Sequence, residues 1–429
     1  MPAVPSAALR ARRLSLPDRD FAYHGGFSRA DAAAPATMIT FPLIAGMPPR
    51  DRLERVGLYA LFGIVATMQL SIAAAQILLT VAVLAWLVSH VSRSERLQAP
   101  SFFWPLVTYA ALTLASAGSS LDPEVSFIDC KQLVLFMLVP VTYDLARGAR
   151  ANSVLSVILT IGAASALVGI VQYGVLNFDG LGRRPQGTLS HWMTYSGTLM
   201  LVVCAATARL LYGTSGRLWA AFVMPALLVA LSLTLTRGAW VGVAVGVAVL
   251  FLSKDFRLLA LIPIVVVTGI LLAPQALTDR VYSIFDRNDL TSRDRIAMLQ
   301  AGAAIVSDYP MMGVGPNQIE RVYPYYRVPD AVKPTNPHLH NVPMQIAAER
   351  GLPALGAWLW FIGSASIGLF KLLRRSRHKG LAAAGLGAMA AMLAAGLTEY
   401  NFGDSEFLML LLVIVTLPFA ADRDGGLPT

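Results

Sequence analysis

The sequence predicts an all-α polytopic membrane protein. Of its 429 residues, 56% are hydrophobic and only 14% are charged, and the mean hydropathy is +0.60. Both values lie well outside the usual balance of a soluble domain. A membrane-spanning helix needs roughly 20 apolar residues, and by that criterion the chain has about twelve candidate spans.

The candidate spans follow one another closely, except for one long polar interruption at residues 275–352. The stretch 218–252 is long enough for two short spans that meet at Thr236, Arg237 and Gly238. The predicted spans are 56–71, 73–91, 102–118, 128–146, 153–176, 192–212, two within 218–252, 256–274, 353–371, 380–398 and 406–421.

Lysine and arginine are distributed unevenly between alternate loops, and this asymmetry sets the orientation of a membrane protein. One side holds the Arg-rich tail 1–55, expected to be mostly disordered, and basic residues that flank most spans. That side is predicted to be cytoplasmic. An even number of spans places the C-terminal tail 422–429 there too, and the segment 275–352 on the outer face. The cytoplasmic loops then account for the net charge of +9, and nucleic-acid binding is not required to explain it.

Three arginines lie in short outer loops, where the charge asymmetry gives no reason for them: Arg183, Arg184 and Arg237. A guanidinium group can bind phosphate oxygens through two parallel hydrogen bonds, so individually placed arginines suit a diphosphate. Gly238, directly after Arg237, would let a ligand approach the backbone closely. The alternative is that these side chains only extend to the lipid headgroups.

Arg293 and Arg295 stand at the start of a predicted helix in the outer segment. An apolar face at helical spacing indicates an amphipathic helix along the membrane surface; its residues are Ile296, Leu299, Ala303 and Val306. Backbone N–H groups at its N-terminus favour an anion. Alternatively, the two arginines are solvated and paired with neighbouring aspartates.

The sequence PHLHN places His338 and His340 directly before a short predicted helix, which Asn341 caps and Gly351 ends. A free imidazole has a pKa near 6.5, so a neutral histidine could accept a proton from an attacking hydroxyl. Zinc binding is a weaker alternative, because a third protein ligand is missing from the pattern. A purely structural role is the other alternative.

The two cysteines, Cys130 and Cys204, both lie in apolar runs. This placement argues against a disulfide framework and against a thiolate metal site. No metal and no other cofactor is expected.

The motifs TRGAW, SRDR, YPMMGVGPNQ and HLHNVPMQIAAERGLPALG, in this order, resemble the O-antigen ligase and polymerase superfamily of bacterial envelope glycosyltransferases. The resemblance covers roughly residues 234–356 by motif and the whole chain by topology. It implies a membrane glycosyltransferase of the GT-C type, most similar to the ligases. Its donor would be a glycan on undecaprenyl diphosphate and its acceptor a sugar hydroxyl of lipid A-core, both at the periplasmic face of the inner membrane.

By position in the motifs, the resemblance implies that His338 is the catalytic base, with His340 and Asn341 as supporting neighbours. Arg237 and either Arg293 or Arg295 would hold the diphosphate. Because a lipid diphosphate is already a good leaving group, arginines could stabilise its charge without a metal. Three tyrosines would either stack on sugars or lie in the aromatic belt of the membrane; these are Tyr323, Tyr325 and Tyr326.

Two alternatives remain at this point. An O-antigen polymerase would use a similar site with a second lipid-linked glycan as acceptor. A lipid or polysaccharide transporter belongs to a different class and would place polar residues near the middle of the bilayer. The charged candidates collect at one surface instead, which favours chemistry there.

Overall fold

The computed structural model describes residues 50–271, 275–283 and 289–423. Residues 1–49 of the predicted N-terminal tail and 424–429 of the C-terminal tail lie outside the described residues. Within the described ranges the chain is helical, as predicted, and forms no β-strand beyond one isolated bridge between Gly180 and Arg183.

Sixteen α-helices and three short 3-10 helices make up the described part of the chain. The α-helices are α1 (Arg52–Thr67), α2 (Ile72–Arg93), α3 (Phe103–Gly118), α4 (Pro123–Asp129), α5 (Leu138–Leu145), α6 (Ala149–Gly174), α7 (Trp192–Tyr212), α8 (Arg217–Leu233), α9 (Arg237–Lys254), α10 (Leu261–Leu271), α11 (Gln275–Tyr282), α12 (Leu290–Asp308), α13 (Ile319–Tyr326), α14 (Val342–Arg375), α15 (Lys379–Ala395) and α16 (Ser405–Asp422). The 3-10 helices are Cys130–Met137, Phe256–Ala260 and Asn401–Gly403.

Seven helical segments in the described ranges are long and apolar enough to cross a membrane: α2, Pro123–Leu145, α6, α7, α9, α14 and α16. Four further apolar segments are shorter: α3, α8, Phe256–Leu271 and α15. Every predicted span overlaps one of the helices or a continuous helical run. The total of twelve spans stays a prediction, because the shorter helices fall below the usual spanning length.

Helices α7, α9 and α15 pack against one another and fix the end of the bundle at which the polar residues collect. Small residues make this close approach possible. A Cβ at Gly246 of α9 would lie 2.7 Å from both Cys204 Sγ on α7 and the Gly387 carbonyl oxygen on α15. Helices α7 and α9 therefore run side by side, and both begin at the end where α15 finishes.

The outer segment folds around a small hydrophobic core of its own, built from α12, α13 and the loop before α14. The predicted helix after Arg295 is present as α12, but its predicted apolar face is not the buried one. Ala297, Met298 and Ala301 are buried, whereas Ile296 is exposed. The buried face of α12 is the one that contacts α14. Helical spacing in the sequence does not reveal which neighbour a helix will contact.

Helix α14 is interrupted at Gly351, as predicted, because that residue has φ 82° and ψ 169°. The YPMMGVGPNQ loop packs on this break. Val314 and Gly315 donate backbone hydrogen bonds to the carbonyls of Ala348 and Glu349, both at 2.9 Å. A Cβ at Gly351 would overlap the Met311 carbonyl oxygen. The motifs YPMMGVGPNQ and HLHNVPMQIAAERGLPALG therefore pack against each other at this turn.

Candidate active site

A cavity of about 430 Å³ lies at the end of the bundle where α7, α9, α14 and α16 begin. Residues at or near the N-terminus of each of these helices line it. Helix N-termini carry partial positive charge and unpaired N–H groups, but the described residues that line the cavity include five carboxyl side chains and no arginine or lysine. The lining residues with ionisable side chains are Asp129, His191, His338, Glu349, Glu399, Tyr400, Asp404 and Glu406.

Arg237 begins α9 and has only 7% of its surface exposed. Its Nη1 donates to the Ser283 carbonyl oxygen at 2.7 Å, and its Nη2 donates to Asp289 Oδ2 at 2.7 Å. Asp289 is the N-cap of α12. Burial alone would raise the pKa of Asp289, but the hydrogen bond and charge of Arg237 outweigh it and lower that pKa. The ion pair therefore joins the N-termini of two helices.

The close backbone approach expected at Gly238 is made by the protein itself and not by a ligand. A Cβ at this position would lie 2.8 Å from Thr398 Oγ1 and 3.1 Å from Glu399 Cγ. The interpretation of Gly238 as an opening for substrate is therefore wrong. The glycine instead brings the loop after α15 against the start of α9.

Glu399 connects an arginine to the histidine pair. Arg295 Nη2 donates a short hydrogen bond to Glu399 Oε1, and His340 Nδ1 lies 3.1 Å from Glu399 Oε2. Burial would raise the pKa of Glu399, but the His340 hydrogen bond and the Arg295 charge together lower it. An ionised carboxylate only accepts hydrogen bonds, so His340 carries a proton on Nδ1.

Two further arginines interact electrostatically with Arg237 and Arg295, and one of them, Arg280, donates from Nε to the Leu235 carbonyl oxygen at 3.1 Å. Burial and then the charges of Arg237 and Arg184 lower the pKa of Arg280 to about 10. Burial also lowers the pKa of Arg184, with Glu399 opposing and Arg237 reinforcing the shift. Like charges lower one another's pKa only at short range. These residues, Arg184, Arg237, Arg280 and Arg295, are called the arginine cluster below.

The other two sequence candidates for the diphosphate lie apart from the arginine cluster. Arg183 is exposed, and its guanidinium carbon lies 4.1 Å from the centre of the Phe178 ring. Arg293 is also exposed, although it is only two residues from Arg295 in α12. Residues two apart on a helix point in different directions. Of the SRDR pair, the structure thus brings only Arg295 to the site.

His338 faces the cavity and its Nδ1 is buried without a hydrogen-bond partner among the described residues. Its ring meets the ring of His340 edge-on, with centroids 4.1 Å apart. Burial, followed by the neighbouring charge of His340, lowers the pKa of His338 to about 4. At neutral pH this imidazole is therefore uncharged.

His191 is a second histidine on the cavity wall. It is the N-cap of α7, and its Nδ1 accepts a hydrogen bond from the Met193 N–H at 3.1 Å. Burial is the main cause that lowers the pKa of His191, with Glu399 opposing. A neutral His191 consequently has its proton on Nε2.

Asn341 caps α14, as predicted, by accepting a hydrogen bond from the Met344 N–H at 2.9 Å. Its Nδ2 donates to the Leu397 carbonyl oxygen at 3.0 Å. This residue therefore ties the histidine segment to the loop that carries Glu399.

The three candidate tyrosines lie outside the cavity lining. Tyr323 is fully buried in the small core of the outer segment. Tyr325 is 86% exposed, and Tyr326 donates from its hydroxyl to Asp308 Oδ2 at 2.7 Å. Stacking of these rings on a sugar stays a prediction.

A buried ionic network forms the cavity wall near α14. Arg350 Nη1 donates to Glu349 Oε2 at 2.6 Å, and Arg350 Nη2 lies 3.4 Å from Asp129 Oδ2. Glu349 Oε1 also accepts the Asn317 N–H at 2.9 Å. Glu349 and Arg350 are the Glu-Arg pair of the HLHNVPMQIAAERGLPALG motif. Their network joins α14 to the YPMMGVGPNQ loop through Asn317 and to α4 through Asp129.

Sequence reasoning missed Arg280 and Glu399 as site residues. Both stand in outer loops, and only the long-range folding of the chain brings them to the site. One sequence feature could have pointed to Glu399: it is a carboxylate at the predicted outer end of an apolar span, on the same predicted side as the candidate arginines. In the described ranges, no group of three or more His, Cys, Asp or Glu side chains is placed to hold a metal ion.

The fold and the cavity define a multi-pass helical membrane protein with a polar cavity at one end of its bundle, lined by His338 and Glu399. Residues 220–359 match the family model described as O-antigen ligase. This segment is therefore similar to the O-antigen ligase family, as the motifs indicated. The matched segment contains Arg237, Arg280, Arg295 and His338, while Arg184 and Glu399 lie beyond it. No curated protein sequence matches the chain.

Proposed function

We propose that this protein is an O-antigen ligase. It transfers a glycan from undecaprenyl diphosphate to a sugar hydroxyl of lipid A-core at the periplasmic face of the bacterial inner membrane. The observation that carries the proposal is the contact chain from His338 on the cavity wall through His340 and Glu399 to Arg295. The arginine cluster suits a diphosphate, and His338 suits removal of a proton from a hydroxyl.

The arginine cluster binds the diphosphate and stabilises the negative charge that grows on it as the glycosidic bond breaks. Arg237 and Arg295 are already held in place by Asp289 and Glu399. Their orientation is therefore fixed before substrate arrives, which reduces the ordering cost of binding. Arg184 and Arg280 bring further positive charge, and neither of them forms an ion pair with a carboxylate in the described part of the chain.

His338 acts as the general base. It takes the proton of the acceptor hydroxyl while the hydroxyl oxygen forms a bond to the anomeric carbon of the donor. The bond between that carbon and the diphosphate oxygen breaks, and undecaprenyl diphosphate leaves with the electron pair. In-line attack inverts the configuration of the anomeric carbon. His340, held by Glu399, packs on the His338 ring and positions it.

The charge distribution of the helices supports the proposed orientation. Basic residues mark the helix ends remote from the cavity, such as Arg93 of α2, Lys254 of α9 and Arg374 of α14. By the positive-inside rule, those ends face the cytoplasm and the cavity faces the periplasm. Both termini then lie in the cytoplasm.

The proposal is tested by supplying purified protein with undecaprenyl-diphosphate-linked glycan, with and without lipid A-core from which O-antigen is absent. We expect glycan on lipid A-core and release of undecaprenyl diphosphate. Extension of lipid-linked glycan alone would make the protein a polymerase instead. The absence of any glycosyl transfer, with lipid movement between leaflets, would favour the transporter.

A further inference from the structure

The proposed chemistry leaves one part of the cavity wall without a role, the segment from Tyr400 to Asp404. The Tyr400 ring lies 6.0 Å from the His338 ring. The chain then forms the 3-10 helix Asn401–Gly403 and reaches Asp404, and all of these residues except Phe402 line the cavity. The segment thus continues the wall directly from the proposed base.

Asn401 presents an unused hydrogen-bond acceptor in this wall. Its side chain is 7% exposed, and its Oδ1 has no hydrogen-bond partner among the described residues. A buried amide oxygen without a partner is costly and rare in folded proteins. Because Asn401 also lines the cavity, a ligand in the cavity can supply the missing donor.

Asp404 does not cap the helix that it precedes. It is the N-cap of α16, yet its carboxylate makes no capping hydrogen bond. Aspartate at this position normally accepts from the first-turn N–H groups. Here Asp404 Oδ2 accepts from Thr194 Oγ1 at 3.0 Å instead, and both residues line the cavity.

The chemistry of these groups differs from that of the arginine cluster. Burial, opposed by the Thr194 hydrogen bond, raises the pKa of Asp404 to about 7, so near neutral pH a large share of its carboxyl groups carries a proton. A protonated carboxyl both donates and accepts, as a hydroxyl does. Gln132 Nε2 donates a short hydrogen bond to the Gly403 carbonyl oxygen and holds the segment in place. Such neutral, fixed groups match sugar hydroxyls and not a phosphate.

We propose that Asn401, Asp404 and Thr194 form a hydroxyl-binding subsite that holds the acceptor sugar beside His338. The Asn401 oxygen accepts from one hydroxyl, and the Asp404 carboxyl with Thr194 binds another. This subsite sets which acceptor hydroxyl reaches the base. The inference rests on the proposed glycosyl transfer and adds the residues that select its acceptor.

The test is a titration of acceptor at saturating undecaprenyl-diphosphate-linked glycan, with lipid A-core as the probe. Asn401→Leu removes the acceptor oxygen at similar volume, and we expect the KM for lipid A-core to rise about tenfold, the effect of one lost hydrogen bond. The KM and equilibrium binding of the donor stay unchanged. Asn401→Asp keeps an acceptor oxygen and is expected to stay closer to wild type. Asn152→Leu on α6, outside the cavity lining, is the matched control.

Thr194→Val provides an independent variant that leaves the 401–404 segment intact, and it is also expected to raise the KM for lipid A-core. An unchanged KM for lipid A-core in soluble, folded Asn401→Leu and Thr194→Val would overturn the subsite. A loss of donor binding equal to the loss of acceptor binding would overturn it as well. If wild-type protein extends only lipid-linked glycan, the same titration is made with that acceptor. No transfer by wild-type protein to either acceptor refutes the proposed function itself.

Discussion

Arg237 Nη2 lies 2.7 Å from Asp289 Oδ2, and this ion pair joins the N-terminus of α9 to that of α12. The two residues are 52 positions apart in the chain. The second nitrogen of the guanidinium group binds Ser283 at the same time. The side chain therefore uses both arms of its planar fork even before a phosphate is present, and its orientation depends on that geometry.

Replacement of Arg237 by lysine is expected to reduce transfer by about 10²-fold, on the scale of losing one donor to a developing negative charge. A lysine keeps the positive charge but cannot make two separated hydrogen bonds in a fixed plane. Transfer kinetics on purified Arg237→Lys measure the loss. Arg321→Lys, at an exposed arginine that pairs with Asp122, is the matched control and should retain wild-type rates. Equal rates in the two variants would remove Arg237 from the diphosphate site.

The pH dependence of transfer reports on His338. A free histidine loses its activity as a base below its pKa near 6.5. Because burial and the adjacent His340 lower the pKa of His338 to about 4, the imidazole stays deprotonated through pH 6. Titration of His338 is therefore expected to have little effect on the rate at saturating substrate between pH 8 and pH 6. The rate should fall only at lower pH, where His338 becomes protonated. A half-maximal rate near pH 6.5 that persists when the other ionisable cavity residues are substituted would contradict the lowered pKa of His338.

Chelation of divalent metal ions is expected to leave the rate of transfer unchanged. The arginine cluster already provides the positive charge that a bound metal would otherwise offer to the leaving diphosphate. The measurement compares rates before and after dialysis against EDTA. Inhibition that a divalent cation then reverses would show that the arginines alone are not sufficient.

Gly351→Ala tests the packed turn that holds the histidine segment and the YPMMGVGPNQ loop together. Gly351 has φ 82°, and a Cβ would overlap the Met311 carbonyl oxygen. We expect a loss of about 1–3 kcal/mol in the free energy of unfolding, the usual cost of strained backbone, seen as a lower Tm in detergent. Gly356→Ala is the control in the same helix, because no atom lies within 4 Å of its added Cβ. Equal Tm values for the two variants would show that the turn relaxes freely.

Much of the fold follows from local sequence. Apolar runs of bilayer length predict the helices, the Arg237 turn separates α8 from α9, and Asn341 and Gly351 mark a helix start and a helix break through their own side-chain and backbone preferences. These signals act over a few residues and need no knowledge of neighbours.

The composition of the site depends on contacts between distant segments, which local patterns do not encode. Glu399 belongs to the site because it contacts Arg295 and His340, and Arg280 belongs because it donates to the Leu235 carbonyl, two residues before Arg237. The SRDR motif offers two arginines, and only packing of α12 against its small core turns Arg295 inward. For the same reason the buried face of α12 and the partner of Gly238 differed from expectation.

The central claim is that His338 removes the proton from the acceptor hydroxyl, and His338→Ala tests it most directly. Purified variant and wild type are compared for transfer of glycan to lipid A-core, for binding of the donor lipid and for Tm, with His378→Ala near the remote end of the bundle as control. Loss of a general base lowers rates by about 10²–10⁴-fold. We expect transfer to fall by that factor while donor binding and Tm stay at wild-type values. Transfer at the wild-type rate by folded His338→Ala would contradict the account.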